Sequence, residues 1–210
     1  MPGPVLFIIE GEDGIVLISI FWKKMLVEIP NEAIWTTMTG GPTIFVTSRS
    51  VEGVDDVMAC AWSTICNMAP ARFCVSLMLP HQTTENLIKT GVFGISIPGT
   101  DLQKALLASG CCSGRVVGDK FAHLKLGKLA GQKLPLSFVE GALVHIECRV
   151  VEPELLKRTG LAIGEAVAAR VEADYWENEG FTCDGRPQST MHSAGETTFT
   201  TRGPRKGWAE

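Results

Sequence analysis

Within the segment Ala142–Val151, the side chains from Val144 to Val150 alternate between apolar and polar. One parity holds the apolar residues Val144, Ile146, Cys148 and Val150. The other parity holds His145, Glu147 and Arg149. An alternation with a period of two places the apolar side chains on one face of a β-strand. We therefore expect a strand here that buries one of its faces.

Other segments rich in β-branched and aromatic residues predict further strands. They are Thr43–Thr47, Val57–Cys66, Phe73–Leu79, Phe93–Ile97 and, late in the chain, Thr197–Thr201. Ala162–Ala173 fits a helix or a strand by composition. A shared parity favours a strand, and the residues that share it are Ile163, Glu165, Val167, Ala169, Val171 and Ala173. The polar stretch Ser48–Asp56 is typical of a hairpin connection.

Only two short helices are expected. The first covers Thr84–Thr90, with Thr83 or Thr84 as its N-cap and Gly91 after its last turn. The second follows the capping-box pattern Thr100–Gln103 and stops at Gly110. Because no long crossover helices separate neighbouring strands, the pattern favours a mainly β, antiparallel barrel and excludes a doubly wound parallel sheet.

Charge and cysteine content restrict the partners and the compartment. The formal net charge of -4 gives no basic field for a nucleic acid. Seven cysteines form no C-x-x-C pair and are odd in number, which predicts reduced thiols and a cytoplasmic protein. The length of 210 residues favours one domain, with two small ones left open.

The first 24 residues differ from the rest. Pro4–Ile9 and Ile15–Trp22 are apolar but too short for a membrane helix, and Lys23 and Lys24 follow the apolar runs, whereas a secretory signal is positive before them. The segment is either an accessory strand pair around Asp13-Gly14 or an extension upstream of a start at Met25. We expect an extension over 1–24 and a single domain over 25–210.

Catalytic motifs are absent from the sequence. It holds no Walker A, G-x-G-x-x-G or G-x-S-x-G pattern and no metal-ligand run, so no catalytic residue and no metal site are predicted. Two polar clusters remain, Ala61–Thr64 and His81–Thr84. Helix-start N–H groups flanked by hydroxyls and an imidazole suit a phosphate, although an ordinary strand end and an ordinary N-cap are the simpler alternatives.

The order of several segments resembles the flavin reductase-like or flavoredoxin family of FMN-binding split barrels, over roughly residues 40–202. The segments are Pro42–Ser48, Ala61–Thr64, Ala69-Pro70, Leu87–Ile97, Gly118–Phe121 and Ile146–Val150. The resemblance implies a Greek-key split barrel with a few short helices, and a homodimer with FMN at the subunit interface. It also implies an oxidoreductase of the NAD(P)H:FMN type, which receives electrons from a reduced nicotinamide or a redox protein. A non-catalytic flavin or haem carrier and a barrel without cofactor are the alternatives.

The resemblance places the flavin ring along Ala59–Thr64 and the phosphate at Thr83–Asn86, with Lys120 near the pocket to stabilise reduced flavin. The full set of expected cofactor contacts is Thr47, Ala59, Ala61, Trp62, Ser63, Thr64, His81, Thr83, Thr84, Asn86, Lys89 and Lys120. The family often has Asn in a Gly-x-x-Asn-x-Ala stretch, where this chain has Gly53-Val54-Asp55-Asp56-Val57-Met58-Ala59. It also often has arginines before the phosphate segment, where this chain has Leu79–Gln82. These departures predict weaker FMN binding or another cofactor.

Overall fold

The computed structural model describes residues 5–10, 16–21, 28, 30, 31, 41–194 and 199–201, and the chain divides into two compact units, Met1–Thr37 and Met38–Glu210. In the first unit, β1 (Val5–Glu10) pairs antiparallel with β2 (Val16–Phe21). This pairing is the strand pair that was one of the two alternatives for the segment, and the extension over 1–24 stays a prediction, because Asp13-Gly14 and Met25 lie outside the described residues.

The second unit contains the main sheet and three small hairpins. Its strands are β3 (Ile44–Arg49), β4 (Asp55–Cys60), β5 (Ser63–Met68), β6 (Ala71–Ser76), β7 (Val92–Ile97), β8 (Lys128–Ala130), β9 (Ser137–Val139), β10 (Val144–Val150), β11 (Leu161–Val171), β12 (Trp176–Glu177), β13 (Gly180–Phe181), β14 (Met191–Ser193) and β15 (Phe199–Thr201). Its helices are α1 (Gln82–Thr90), α2 (Gln103–Cys111), α3 (Gly114–Val117), α4 (Lys120–Leu124) and α5 (Pro153–Thr159). Single 3₁₀ turns cover Thr100–Leu102 and Ala173–Tyr175.

Seven strands form one antiparallel sheet in the order β4-β3-β7-β10-β11-β6-β5. Neighbours such as β3 and β7, or β11 and β6, are distant in sequence, which is the crossing order of a Greek key. The expectation of a mainly β, antiparallel architecture with few short helices is confirmed. The strand assignment of Ala162–Ala173 is confirmed as well, by β11.

Strand β10 is buried more completely than its alternation predicts. Val144 and Ile146 are buried as expected, but His145 and Glu147 are also only 7% and 2% exposed. The segment that leads into β9 covers this second face, because Phe138 packs edge-to-face on His145 and backbone N–H groups bond Glu147. A polar side chain can be buried when such partners are supplied.

Two sequence predictions were wrong in detail. The single strand Val57–Cys66 is two strands, because the chain breaks between Cys60 and Ser63 and turns into the β5–β6 hairpin. Helix α1 begins at Gln82 with His81 as N-cap, and no side chain caps it. Thr83 and Thr84 are instead inside the helix. Gly91 ends this helix with φ of 69°, as predicted.

The second helix also begins differently. The capping box at Thr100 does not form: this residue opens a 3₁₀ turn, and its hydroxyl donates to Gln188 at 2.6 Å. Within the described residues, no helix combines the length and the apolar character needed to cross a membrane.

Candidate functional site

A cleft of about 340 Å³ lies where α1, α2 and α4 pack beside the edge strand β4. Its lining comes from β4, from the entry to α1, from the end of α2 with the turn into α3, and from the start of α4. The lining residues are Asp56, Met58, Ala59, Pro80, His81, Gln82, Thr83, Ser109, Gly110, Cys111, Cys112, Ser113, Gly114 and Lys120. Two depressions of about 300 and 260 Å³ share walls with it, one beyond Asp56 and one beyond Ala59. Together they form a groove along β4.

The start of α1 forms one wall of the cleft and is suited to an anion. The first N–H groups of a helix have no partner within the helix, and here no side chain caps them. The positive end of the helix dipole adds to their attraction for negative charge. His81, Gln82 and Thr83 bring this helix start into the cleft.

Asp56 lies against this helix start. It is 3% exposed, and its Oδ2 accepts a hydrogen bond of 2.5 Å from the Thr83 hydroxyl. Among the described residues, its Oδ1 has no hydrogen-bond partner. Burial raises the pKa of the Asp56 carboxyl, although the Thr83 hydroxyl, Lys120, the adjacent Val57 N–H and His81 act to lower it. Gly114 permits a close approach here, because a Cβ at that position would lie 2.8 Å from Oδ1.

The neighbouring aspartate, Asp55, has a different environment. Its carboxylate pairs with Arg49 at 2.7 Å and with Lys128 at 3.0 Å, and it accepts a hydrogen bond from Ser137 at 2.9 Å. Burial alone would raise the pKa of Asp55, but these partners together lower it below its ordinary value. Lys128 also pairs with Asp119 at 2.8 Å, so this network fastens β4 to the start of α4.

Lys120 is buried at 3% exposure, and its Nζ donates to the Ser109 carbonyl at 2.6 Å. Lys120 is therefore not a solvated surface lysine. Asp119 caps the helix that carries it, with a hydrogen bond from the Ala122 N–H. The cleft thus contains a buried ammonium group held in a fixed position.

The structure brings some of the expected contact residues together. Ala59, His81, Thr83 and Lys120 line the cleft. Ala61 lines the depression beyond Ala59, and Asn86 lines the one beyond Asp56. The Asn86 side chain is also bonded to Gln82 and Ser48. Their role in binding a cofactor stays a prediction.

Other expected residues lie elsewhere. Thr47 is fully buried in the interior against Gly94, and Thr84 donates to the Met78 carbonyl at 2.8 Å. Lys89 is an exposed partner of Glu85 at 2.6 Å. None of these three lines the cleft.

Three residues of the Ala61–Thr64 cluster are also away from the cleft. Ser63 and Thr64 border a separate apolar depression of about 260 Å³, and Trp62 is 55% exposed. The hydroxyls of Ser63 and Thr64 donate to backbone carbonyls, Pro42 and Ile65. A strand break at Ala61 explains this separation, because it turns β5 away from β4.

Sequence reasoning did not select Asp56 or the segment Ser109–Gly114. The aspartate stood at the end of an expected polar connection, and nothing in an Asp-Asp pair indicates which member is ion-paired. Ser109–Gly114 joins two helices whose packing is set by the tertiary fold. Only the departure from the Gly-x-x-Asn-x-Ala pattern marked Asp56 as unusual.

Comparison with known proteins assigns the chain to a family. Residues 37–186, more than half of the sequence, match the flavin reductase like domain. The chain belongs to the flavin reductase like family. The uncharacterized protein YddH of Escherichia coli (strain K12) is similar to this chain. It is 30% identical over 168 residues, which cover 79% of this chain and 88% of YddH.

Solved structures confirm the fold of this flavin reductase like chain. The FMN-binding domain of a flavin reductases-like enzyme from Shewanella baltica OS155 has a TM-score of 0.76 and 24% identity, covering 80% of this chain and 90% of that one. Flavoredoxin of Desulfovibrio vulgaris (Miyazaki F) has a TM-score of 0.73 and 24% identity, covering 90% and 97%. The expected split-barrel fold is therefore confirmed.

The cleft residues fit a phosphorylated flavin in most respects. The open start of α1 supplies backbone donors, Lys120 supplies a buried positive charge, and small Ala59 leaves room for a flat ring beside β4. The Asp56 carboxyl fits an adjacent phosphate only when it carries a proton, because two neighbouring anions repel each other. The residues therefore fit FMN with one condition, which concerns the protonation of Asp56.

Proposed function

We propose that this protein binds FMN in the cleft beside β4 and acts as an oxidoreductase. It would pass electrons from a reduced nicotinamide, NAD(P)H, or from a redox protein donor. The observation that carries the proposal is the meeting of three features in one cleft. These are the uncapped start of α1, the buried ammonium of Lys120 and the small Ala59 wall, in a member of the flavin reductase like family.

Bound FMN supplies the redox chemistry, since flavins accept hydride and pass electrons on. The protein would supply binding and electrostatics. The first N–H groups of α1 and His81 would hold the phosphate, and Ala59 and Ala61 would border the ring. Lys120 would stabilise negative charge, because an ammonium buried at 3% exposure acts with little screening by water.

We also propose a cytoplasmic homodimer. All seven cysteines are free thiols, which suits a reducing compartment. The edge strand β5 exposes Ile65 and Met68 at 56% and 85%, next to an apolar depression that includes Phe73 and Ile146. Exposed apolar surface of this kind is typical of an interface.

The binding proposal is tested by filling the cleft. Ala59→Leu places a larger side chain on the cleft wall and should reduce FMN affinity at least about tenfold, an effect of 1.4 kcal/mol or more. The measurement is quenching of flavin fluorescence on titration. The matched control is Ala169→Leu, because Ala169 is an exposed strand alanine that lines none of the described depressions. Equal affinities for the two variants would contradict the site.

The oxidoreductase proposal has a separate test. The FMN-loaded protein should lose its visible flavin absorbance anaerobically when NADH or NADPH is added, and should regain it in air. Reduction by neither nucleotide, with FMN tightly bound, would contradict a nicotinamide donor. Titration with a reduced ferredoxin would then examine the protein donor.

A further inference from the structure

One carboxyl in the cleft has a hydrogen-bonding capacity that the protein leaves unused. Asp56 is 3% exposed, and within the described part of the chain its Oδ1 has no partner. Its Oδ2 is fixed by the 2.5 Å bond from Thr83, so the carboxyl cannot turn freely. Buried polar atoms are almost always paired, and an unpaired one on a cleft wall indicates a ligand.

The carboxyl also lies beside the helix start that attracts anions. Thr83 belongs to the first turn of α1, and it is within one hydrogen bond of Asp56. The main cleft and the depression beyond it share three lining residues, Asp56, Gln82 and Gly114. Asp56 therefore lies where the two depressions meet. A phosphate at this helix start would lie beside the Asp56 carboxyl, whose Oδ1 is packed against Gly114 in this structure.

The charge state of the carboxyl decides what it can bind. A carboxylate only accepts hydrogen bonds, whereas a protonated carboxyl also donates one. A phosphate oxygen needs a hydrogen-bond donor, whereas a flavin hydroxyl can donate a hydrogen bond to an acceptor. Burial already favours the protonated form of Asp56 by raising its pKa, and a nearby phosphate dianion would favour it further.

We propose that Asp56 is a specificity-determining residue of this cleft: with a proton on Oδ1 it donates to the phosphate of a phosphorylated flavin, and as a carboxylate it accepts from a hydroxyl of an unphosphorylated flavin. The inference rests on the proposed function. FMN binding would then be coupled to the uptake of a proton from solvent by Asp56. Riboflavin binding would not require that proton.

Other charged and titratable groups face the same region from each neighbouring element. They are His81 before α1, Glu85 on α1, Arg115 on α3, Lys120 on α4, Glu52 in the β3–β4 turn, and Cys111 and Cys112 at the end of α2. Arg115 pairs with Glu85 at 2.7 Å, and Lys120 donates to the Ser109 carbonyl. Variants of His81 and Glu52 therefore separate the effects of these two groups from the effect of Asp56.

The decisive variant is Asp56→Asn. The amide oxygen keeps the bond from Thr83, and the amide NH₂ then supplies a donor at the position of Oδ1 at every pH. Dissociation constants for FMN and riboflavin are measured between pH 5.5 and 8.5 for both proteins. In the wild type, the ratio of the FMN constant to the riboflavin constant should rise with pH, by up to about tenfold per unit. Over this pH range, the rise of the ratio in Asp56→Asn should be smaller than the rise in the wild type by a factor of at least about ten.

The titration of the FMN phosphate itself, near pH 6, is common to both proteins and cancels in the comparison. Calorimetry at pH 6.5, in two buffers of different ionisation enthalpy, should detect proton uptake with FMN for the wild type and less for Asp56→Asn. Glu52→Gln is the matched control, because it removes a carboxylate that borders the adjoining depression from an exposed position. It should keep the wild-type pH dependence.

Several results would overturn the proposal. Asp56→Asn could retain the wild-type pH dependence, riboflavin could share the dependence of FMN, or His81→Gln could abolish it while Asp56→Asn does not. If Asp56→Asn does not fold, calorimetry of the wild type at pH 7.5, where the free FMN phosphate is already almost entirely a dianion, still decides through proton uptake with FMN but not with riboflavin. If neither flavin binds at any pH, the proposed function itself fails, which differs from each outcome above.

Discussion

Single buried polar residues are tolerated in this barrel where the fold supplies partners for them. Glu147 accepts hydrogen bonds from the backbone N–H groups of Gln132, Lys133 and Leu134, at 2.5, 2.8 and 2.6 Å. Burial alone would raise the pKa of its carboxyl, but the three donors together hold the pKa below its ordinary value. The charged carboxylate therefore anchors the segment that covers β10.

The burial of the neighbouring His145 predicts that the protein loses stability in mild acid. Burial, with a smaller effect of Arg170, lowers its pKa to about 4. The unfolded chain, with a histidine pKa of about 6.5, takes up this proton at a higher pH than the folded chain does. The free energy of unfolding should therefore fall between pH 7 and pH 5, by about 2 kcal/mol from this residue. Urea unfolding at the two pH values measures it.

The His145→Gln variant tests the assignment. It should be less stable than the wild type at pH 7 but should lose less stability between pH 7 and 5. The control is His123→Gln, because His123 is exposed on α4. Carboxylates such as Glu147 act below this pH window. If His145→Gln shows the full wild-type dependence, another group is responsible.

At the scale of elements, Gly160 joins α5 to β11 and should resist substitution. It has φ of 78°, its carbonyl accepts the Leu77 N–H at 2.9 Å, and a Cβ would collide with the Leu77 carbonyl. Gly160→Ala should cost about 3 kcal/mol, of which about 1 comes from the left-handed backbone. Gly53→Ala is the control, since Gly53 has φ of 88° but open space around a Cβ. Equal losses of unfolding free energy would contradict the steric argument.

The elements that sequence periodicity predicted well are those whose side chains alternate in polarity or share parity, even where both faces are buried, as in β10. The alternation of β10 and the shared parity in β11 located both strands. The break at Ala61 was missed because apolar residues continue across it, and hydropathy does not record a change of direction. Thr83 was expected to cap α1, but its hydroxyl is taken by Asp56, a contact that depends on the β3–β4 hairpin.

The candidate site was predictable only in part, because contacts between distant segments do not appear in local sequence patterns. The anion-binding helix start and Lys120 could be chosen from sequence, because cap chemistry and family resemblance are local or follow the order of segments. The burial of Asp56 and the ion pairing of Asp55 depend on α1, α4 and β9, which approach from distant parts of the chain. No local pattern separates two adjacent aspartates.

At the scale of the whole molecule, we propose that residues 1–24 contribute no flavin contact. The family match begins at residue 37, and the structure divides the chain between Thr37 and Met38. A protein without residues 1–24 should therefore keep its FMN content and its thermal unfolding midpoint. Absorbance and calorimetry measure the two quantities. A large fall in either would show that the first unit supports the barrel.

The second whole-molecule prediction concerns assembly. The main sheet ends in two edge strands, β4 at the cleft and β5 on the other side of the order. An edge strand offers unpaired backbone groups, and β5 also exposes Ile65 and Met68. Two-fold pairing of identical chains would pair the free backbone groups of β5 and also cover its exposed apolar side chains. We therefore expect β5 to lie in the interface of a homodimer.

Sedimentation should accordingly give twice the chain mass of 22.7 kDa at micromolar concentration. Ile65→Glu places a charge on the proposed interface and should shift the protein towards the monomer, with a loss of FMN affinity if both chains border the flavin. Val51→Glu is the matched control, because Val51 is an exposed apolar residue, 62% accessible, in the β3–β4 turn. It should remain dimeric. A wild-type monomer would contradict the assembly, and a dimer unaffected by Ile65→Glu would place the interface away from β5.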